Sequence, residues 1–94
     1  MSNKLTPEYI QSLMQRVVVN TTLEYVPTAH VTAIAWLDGK FYLGTAISKS
    51  VDPLNFDAEL GREYSTADVL KIAEQRLWEL EGYKLYTKLL EDQV

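Results

Sequence analysis

Apolar positions change period twice along the chain, and each regime predicts a different element. Between Pro7 and about Gln15, Ile10, Leu13 and Met14 recur at helical spacing and form one apolar stripe. Thr6-Pro7-Glu8 supplies the start. Thr6 offers a capping hydroxyl, Pro7 lacks an N–H where none is needed, and Glu8 faces the positive end of the helix dipole. From Arg16 the period falls to two. Val17, Val19, Thr21, Leu23 and Tyr25 share one face and Val18, Asn20, Thr22, Glu24 and Val26 the other, in a β-branched strand that Pro27 ends.

Asp38-Gly39 is the strongest turn signal, set between His30–Leu37 and Lys40–Ile47, both rich in β-branched and aromatic residues. It predicts a two-residue hairpin with a type I′ turn. The register that follows sets Trp36 against Phe41, Ile34 against Leu43 and Thr32 against Thr45. On the other face Ala35 meets Tyr42, Ala33 meets Gly44 and Val31 meets Ala46. Both faces are therefore apolar, one bulky and one small, and each calls for a cover. Ala33, Ala35, Gly44 and Ala46 leave room for a helix or second sheet to approach closely.

Ser48-Lys49-Ser50 reads as a loop, and Asp52-Pro53 as a capped helix start followed by the apolar Leu54, Phe56 and Leu60. Gly61 is expected to break this segment, with a new start at Ser65-Thr66-Ala67-Asp68. Leu70, Ala73, Leu77 and Leu80 then repeat at three/four spacing to about Leu90, with Trp78, Leu85 and Leu89 on a neighbouring stripe. The predicted fold is one α+β domain over residues 1–94: a short helix, a three-stranded antiparallel meander and a long helix, in the order α-β-β-β-α.

Length bears on that last helix. Thr66 to Glu91 would span roughly 39 Å at 1.5 Å per residue. A compact chain of this size has a radius of gyration near 12 Å, hence a diameter of roughly 32 Å. Unless Gly82 kinks it, the helix overhangs its domain and exposes Tyr83, Leu85, Tyr86, Leu89 and Leu90. Trp78, Tyr83, Leu85, Tyr86 and Leu89 are the candidate contacts of a homo-oligomer, a state that would also help so small a core.

Composition removes several function classes. The chain has no cysteine, which excludes disulfides, a thiol nucleophile and thiolate metal sites. One histidine, His30, is too few for an imidazole-rich metal centre, and it has no acid or nucleophile at a recognisable spacing. The four glycines are scattered, so no phosphate loop or dinucleotide fingerprint is present, and no serine lies in a nucleophile-elbow context. Asp52, Asp57 and Glu59 are explained as helix-start residues. No catalytic residue, metal site or cofactor is expected. The start Met1-Ser2-Asn3-Lys4 has no signal-peptide core and no apolar run is long enough to span a membrane. A net charge of −4 argues against general DNA binding.

What remains is an aromatic and basic surplus. Trp36, Phe41, Tyr42, Phe56 and Trp78 read most simply as core. An aromatic surface near Lys40, Lys49 or Arg62 could hold a nucleotide by stacking and phosphate pairing; Lys40, Tyr42, Lys49 and Arg62 are the candidate contacts.

Two segments, Val51-Asp52-Pro53-Leu54-Asn55-Phe56-Asp57-Ala58-Glu59-Leu60-Gly61-Arg62 and Leu77-Trp78-Glu79-Leu80-Glu81-Gly82-Tyr83, resemble a family of small proteins encoded by tailed phages. Its pattern runs V-D-P-x-N-F-D-x-E-x-G, a helix, then L-W-x-L-E-G-Y. Thr6-Pro7-Glu8-Tyr9-Ile10 and Leu37-Asp38-Gly39 are similar to some members. Members tend to carry an alanine-rich basic helix from one motif to the next, whereas Glu63-Tyr64-Ser65-Thr66 here looks like an interruption. The resemblance implies a phage accessory protein acting in the host bacterial cytoplasm. By analogy with other small phage proteins, it would be a non-enzymatic oligomer that sequesters a cyclic nucleotide or ADP-ribose-type immune signal. The alternative is an inhibitor or adaptor that docks on a host protein through Tyr83, Tyr86 and Glu91.

Overall fold

The computed structural model describes residues 4–50 and 52–93. Met1-Ser2-Asn3 and Val51, on which two of the readings above fall, lie outside them. Helix α1 (Pro7–Met14) is followed by strands β1 (Val17–Glu24), β2 (His30–Leu37) and β3 (Phe41–Lys49), a 3-10 turn (Pro53–Asn55) and helix α2 (Ala58–Asp92). The strands pair antiparallel in the order β1-β2-β3, so the α-β-β-β-α reading holds.

The hairpin departs from the expected register. Asp38 and Gly39 both take positive φ, 57° and 69°, and Lys40 N–H donates to Leu37 O at 3.0 Å. That is the predicted type I′ turn. Leu37 nevertheless pairs with Phe41 and Trp36 with Tyr42, and an irregularity then sets Ala35 against Gly44. The extra residue is Leu43, and the bulge lets Leu43 and Gly44 both turn inward. Phe41 and Tyr42 exchange faces relative to expectation, whereas Gly44 and Ala46 keep theirs. The strand also runs on through Ser48 and Lys49, which sequence assigned to a loop, because both still pair with β2.

The small face carries the core. Val31, Ala33 and Ala35 of β2 and Leu43 and Ala46 of β3 are buried beneath α2, and α1, packed on α2, adds Ile10 and Leu13 to the same core cluster. From α2 the buried stripe is Gly61, Ser65, Val69, Ala73 and Leu77, one residue in four, and from α1 it is Ile10 and Leu13. Small residues set the helix-to-sheet distance. A Cβ on Gly44 would collide with Cγ2 of Ile72, and one on Gly61 would sit 3.0 Å from Val31 Cγ2. The expected break at Gly61 and restart at Ser65 are thus overturned. Both residues lie within one continuous 35-residue helix, because their smallness is used for close packing.

The bulky face has no cover among the described residues. Val18, Tyr42 and Ile47 are 51%, 47% and 58% exposed, and Trp36 and Ile34 are half-buried. The assignment of Phe41 and Tyr42 to the core is corrected accordingly, since both side chains stand in the exposed class. Helix α2 outruns the sheet as anticipated: the molecule measures 61 × 22 × 21 Å with a radius of gyration of 17.1 Å. Gly82 leaves the helix unbroken.

Candidate functional site

The end of β3 and the start of α2 frame a depression of about 200 Å³. Ser48, Lys49 and Ser50 form one wall, and Asn55, Phe56, Asp57, Leu60, Gly61 and Tyr64 the other. Local hydrogen bonds fix that second wall. Asp52 accepts from Leu54 N at 3.0 Å and from Asn55 Nδ2 at 2.7 Å, holding the 3-10 turn. Asp57 Oδ1 accepts from the N–H groups of Glu59 (2.9 Å) and Leu60 (3.3 Å) and caps α2. Both aspartates act as the helix-start residues that sequence made them. Around this frame lie a lysine, two aromatic rings, two serine hydroxyls and an amide, a set able to hold a polar, partly planar molecule.

Two further clusters lie elsewhere. Beside the hairpin turn, Arg16 makes a two-pronged ion pair with Asp38 at 2.6 and 2.9 Å. Hydrogen bonding to Arg16 lowers the Asp38 pKa, and the same contact raises that of Arg16. On the helical side, Tyr9 OH donates to Glu81 Oε1 at 2.9 Å, and this bond raises the Tyr9 pKa. Lys4, Leu5, Tyr9, Glu81, Lys84, Leu85 and Lys88 surround a hollow of about 350 Å³ there. Among the described residues no group of three or more His, Cys, Asp or Glu side chains is placed to hold a metal ion. No helix among them is long and apolar enough to cross a membrane.

A sequence profile for the phage protein family described as N4 Gp49/phage Sf6 gene 66 matches residues 5–89. The chain belongs to this family. The match takes in α1, all three strands and α2 up to Leu89, and every residue that lines the depression falls inside it. Neither the curated proteins nor the solved structures contain a significant match.

Within this family member the four candidate ligand contacts do not converge. Lys49 lines the depression, and exposed Arg62 follows its Gly61 on α2. Tyr42 stands at the opposite end of β3, seven residues or roughly 23 Å from Lys49, and Lys40 lies in the turn two residues beyond it. Of the candidate oligomer contacts, Trp78 packs partly against its own core and Leu85 lies in the hollow with Leu5 and Tyr9. Tyr83 and Tyr86 project from the overhang, 69% and 57% exposed, and Leu89 is half-buried. His30 lies on the open sheet face with Nδ1 2.8 Å from Thr28 O. Sequence reasoning passed over Tyr64 as part of an interruption. Letting the helix run through Gly61 would have found it, because Asp57, Leu60, Gly61 and Tyr64 recur at helical spacing on one side.

Proposed function

We propose that this phage protein is a non-enzymatic binder that holds a small nucleotide-like molecule in the depression between β3 and α2. The observation that carries the reading is the gathering of Lys49, Phe56 and Tyr64 around one concavity. The lysine suits a phosphate, the rings suit a base, and Ser48 and Asn55 suit a sugar or base edge. Catalysis is no part of the proposal, which asks these groups only to bind. A concavity of about 200 Å³ is smaller than the roughly 300–1,000 Å³ usual for whole small-molecule sites, so the ligand would project from it. In an infected cell such a protein would lower the free concentration of a signal by holding it.

A thermal-shift screen against cyclic di- and trinucleotides and cyclic ADP-ribose isomers tests this. A ligand at a hundredfold its dissociation constant should raise the melting temperature by more than about 5 °C. Tyr64→Ala should abolish the rise while leaving the unliganded melt within about 2 °C, since the ring is 59% exposed. A flat panel would overturn the reading.

The overhang favours a second reading, docking on a host protein through Tyr83, Tyr86 and Glu91. A stoichiometric host band in a pull-down that disappears with Tyr83→Ala/Tyr86→Ala would select it.

A further inference from the structure

The exposed face of the sheet is built to be covered. Its rows run across the three strands: Val18–Trp36–Tyr42, Asn20–Ile34–Thr45, Thr22–Thr32–Ile47 and Glu24–His30–Lys49. The polar tips among its aromatic residues are already satisfied within the face. Trp36 Nε1 donates to Asn20 Oδ1 at 2.7 Å, and the Tyr42 hydroxyl is 2.7 Å from Thr45 Oγ1. Trp36 and Tyr42 meet edge to face at 5.7 Å between centroids. Covering this surface would therefore strand neither tip, which removes the usual penalty for burying them.

Charge on the face says what the cover is. Opposite charges sit at two corners of the same end, Glu24 on β1 and Lys49 on β3, two strands apart with His30 between them. Among the described residues neither is in an ion pair within its own chain. We infer that the face is covered by the same face of a second copy, around a two-fold axis lying close to the direction of β2. Rotation about that axis exchanges the β1 and β3 sides but keeps each row opposite itself. Glu24 then faces Lys49 of the second copy, and Lys49 faces its Glu24, while Trp36 and Ile34 meet their own counterparts on the axis. A two-fold axis across the strands would instead lay the charged row on the Val18–Trp36–Tyr42 row and leave both charges over apolar groups. The chosen arrangement is aligned sheet-on-sheet packing.

Size sets the strength. Three strands of about eight residues give a face of roughly 26 × 14 Å, about 730 Å² over two copies, which is below the roughly 1,200 Å² of stable specific interfaces and in the range of weak, transient ones. A dimer dissociating in the micromolar range follows, rather than an obligate one.

Sedimentation equilibrium of the full chain over 1–500 µM is the test, with unchanged circular dichroism melts as the folding control. Wild type should pass from monomer to dimer. Glu24→Lys and Lys49→Glu should each weaken association about tenfold, and the two together should restore it to within about threefold, because only the exchange of sides pairs these positions. Zero-length carbodiimide coupling of mixed light and heavy-isotope chains should give a Glu24–Lys49 peptide joining a light to a heavy chain. A chain that stays monomeric at 500 µM overturns the inference. So does a double variant that fails to recover, or a dimer that survives both reversals and is lost with Tyr83→Ala/Tyr86→Ala. Lys49 serves both proposals, so they are told apart at Tyr64 and Glu24. Tyr64→Ala removes the proposed ligand contact and leaves this association intact, whereas Glu24→Lys weakens association and leaves the ligand-induced rise in melting temperature unchanged.

Discussion

Gly44 sits where β3 passes under Ile72 of α2 without room for a methyl group. Gly44→Ala forces the branched Ile72 side chain to move and should cost about 1–3 kcal/mol, read as a fall in the urea midpoint at constant slope. Combining it with Ile72→Ala should recover most of that loss, since the two sites share one clash. Single residues of this kind were partly legible. The run of Ala33, Ala35, Gly44 and Ala46 announced a closely approached face, but which α2 side chain would approach depended on a register that Lys40 in the turn and the bulge at Leu43 together shift by two residues. A second residue-scale outcome concerns pH. The Tyr9 pKa is raised above 10.0 chiefly by its hydrogen bond to Glu81. A raised folded-state value means that the contribution is complete below pH 10 and is lost as pH climbs through the folded pKa. Wild type should therefore lose part of its stability above pH 10, and Tyr9→Phe should flatten that step in melts followed from pH 8 to 11.

At the scale of elements, the cap of α1 was readable and that of α2 only in part, since Asp57 was legible as a helix-start charge while the long helix was expected to begin at Ser65. Thr6 accepts from Tyr9 N at 3.1 Å to cap α1, and Asp57 caps α2. Asp57→Ala should destabilise the fold by about 1 kcal/mol and Asp57→Asn by much less, measured by chemical denaturation. Element types and order followed from period: three/four spacing for the helices, alternation for the strands. Where α2 begins did not. Propensity marks Gly61 and Ser65-Thr66 as a stop and a fresh start, yet tertiary packing over Val31 makes use of the small side chains and runs the helix straight through. That one misreading also hid the depression, because Tyr64 reaches it only from an unbroken helix. Asp57 and Lys49 were legible as single residues, but their meeting at one depression required β3 to extend through Lys49.

The whole molecule is a small core with one long member. The buried half of the sheet, α1 and the first five turns of α2 make the domain, and the rest of α2 projects from it. The overhang was readable from arithmetic alone, since a helix of that length cannot fit a compact chain of this size. The open sheet face was readable only as a demand, two apolar sides where the described residues supply a cover for one. Face-to-face pairing meets that demand without using the overhang, leaving two projecting helices free for another partner. Elongation has a practical consequence as well. A rod-like particle tumbles and diffuses with more friction than a sphere of equal mass, so this chain should elute from a sizing column ahead of its true weight even as a single copy. An early peak would then be mistaken for a dimer, and only a measurement independent of frictional shape separates a stretched monomer from a pair.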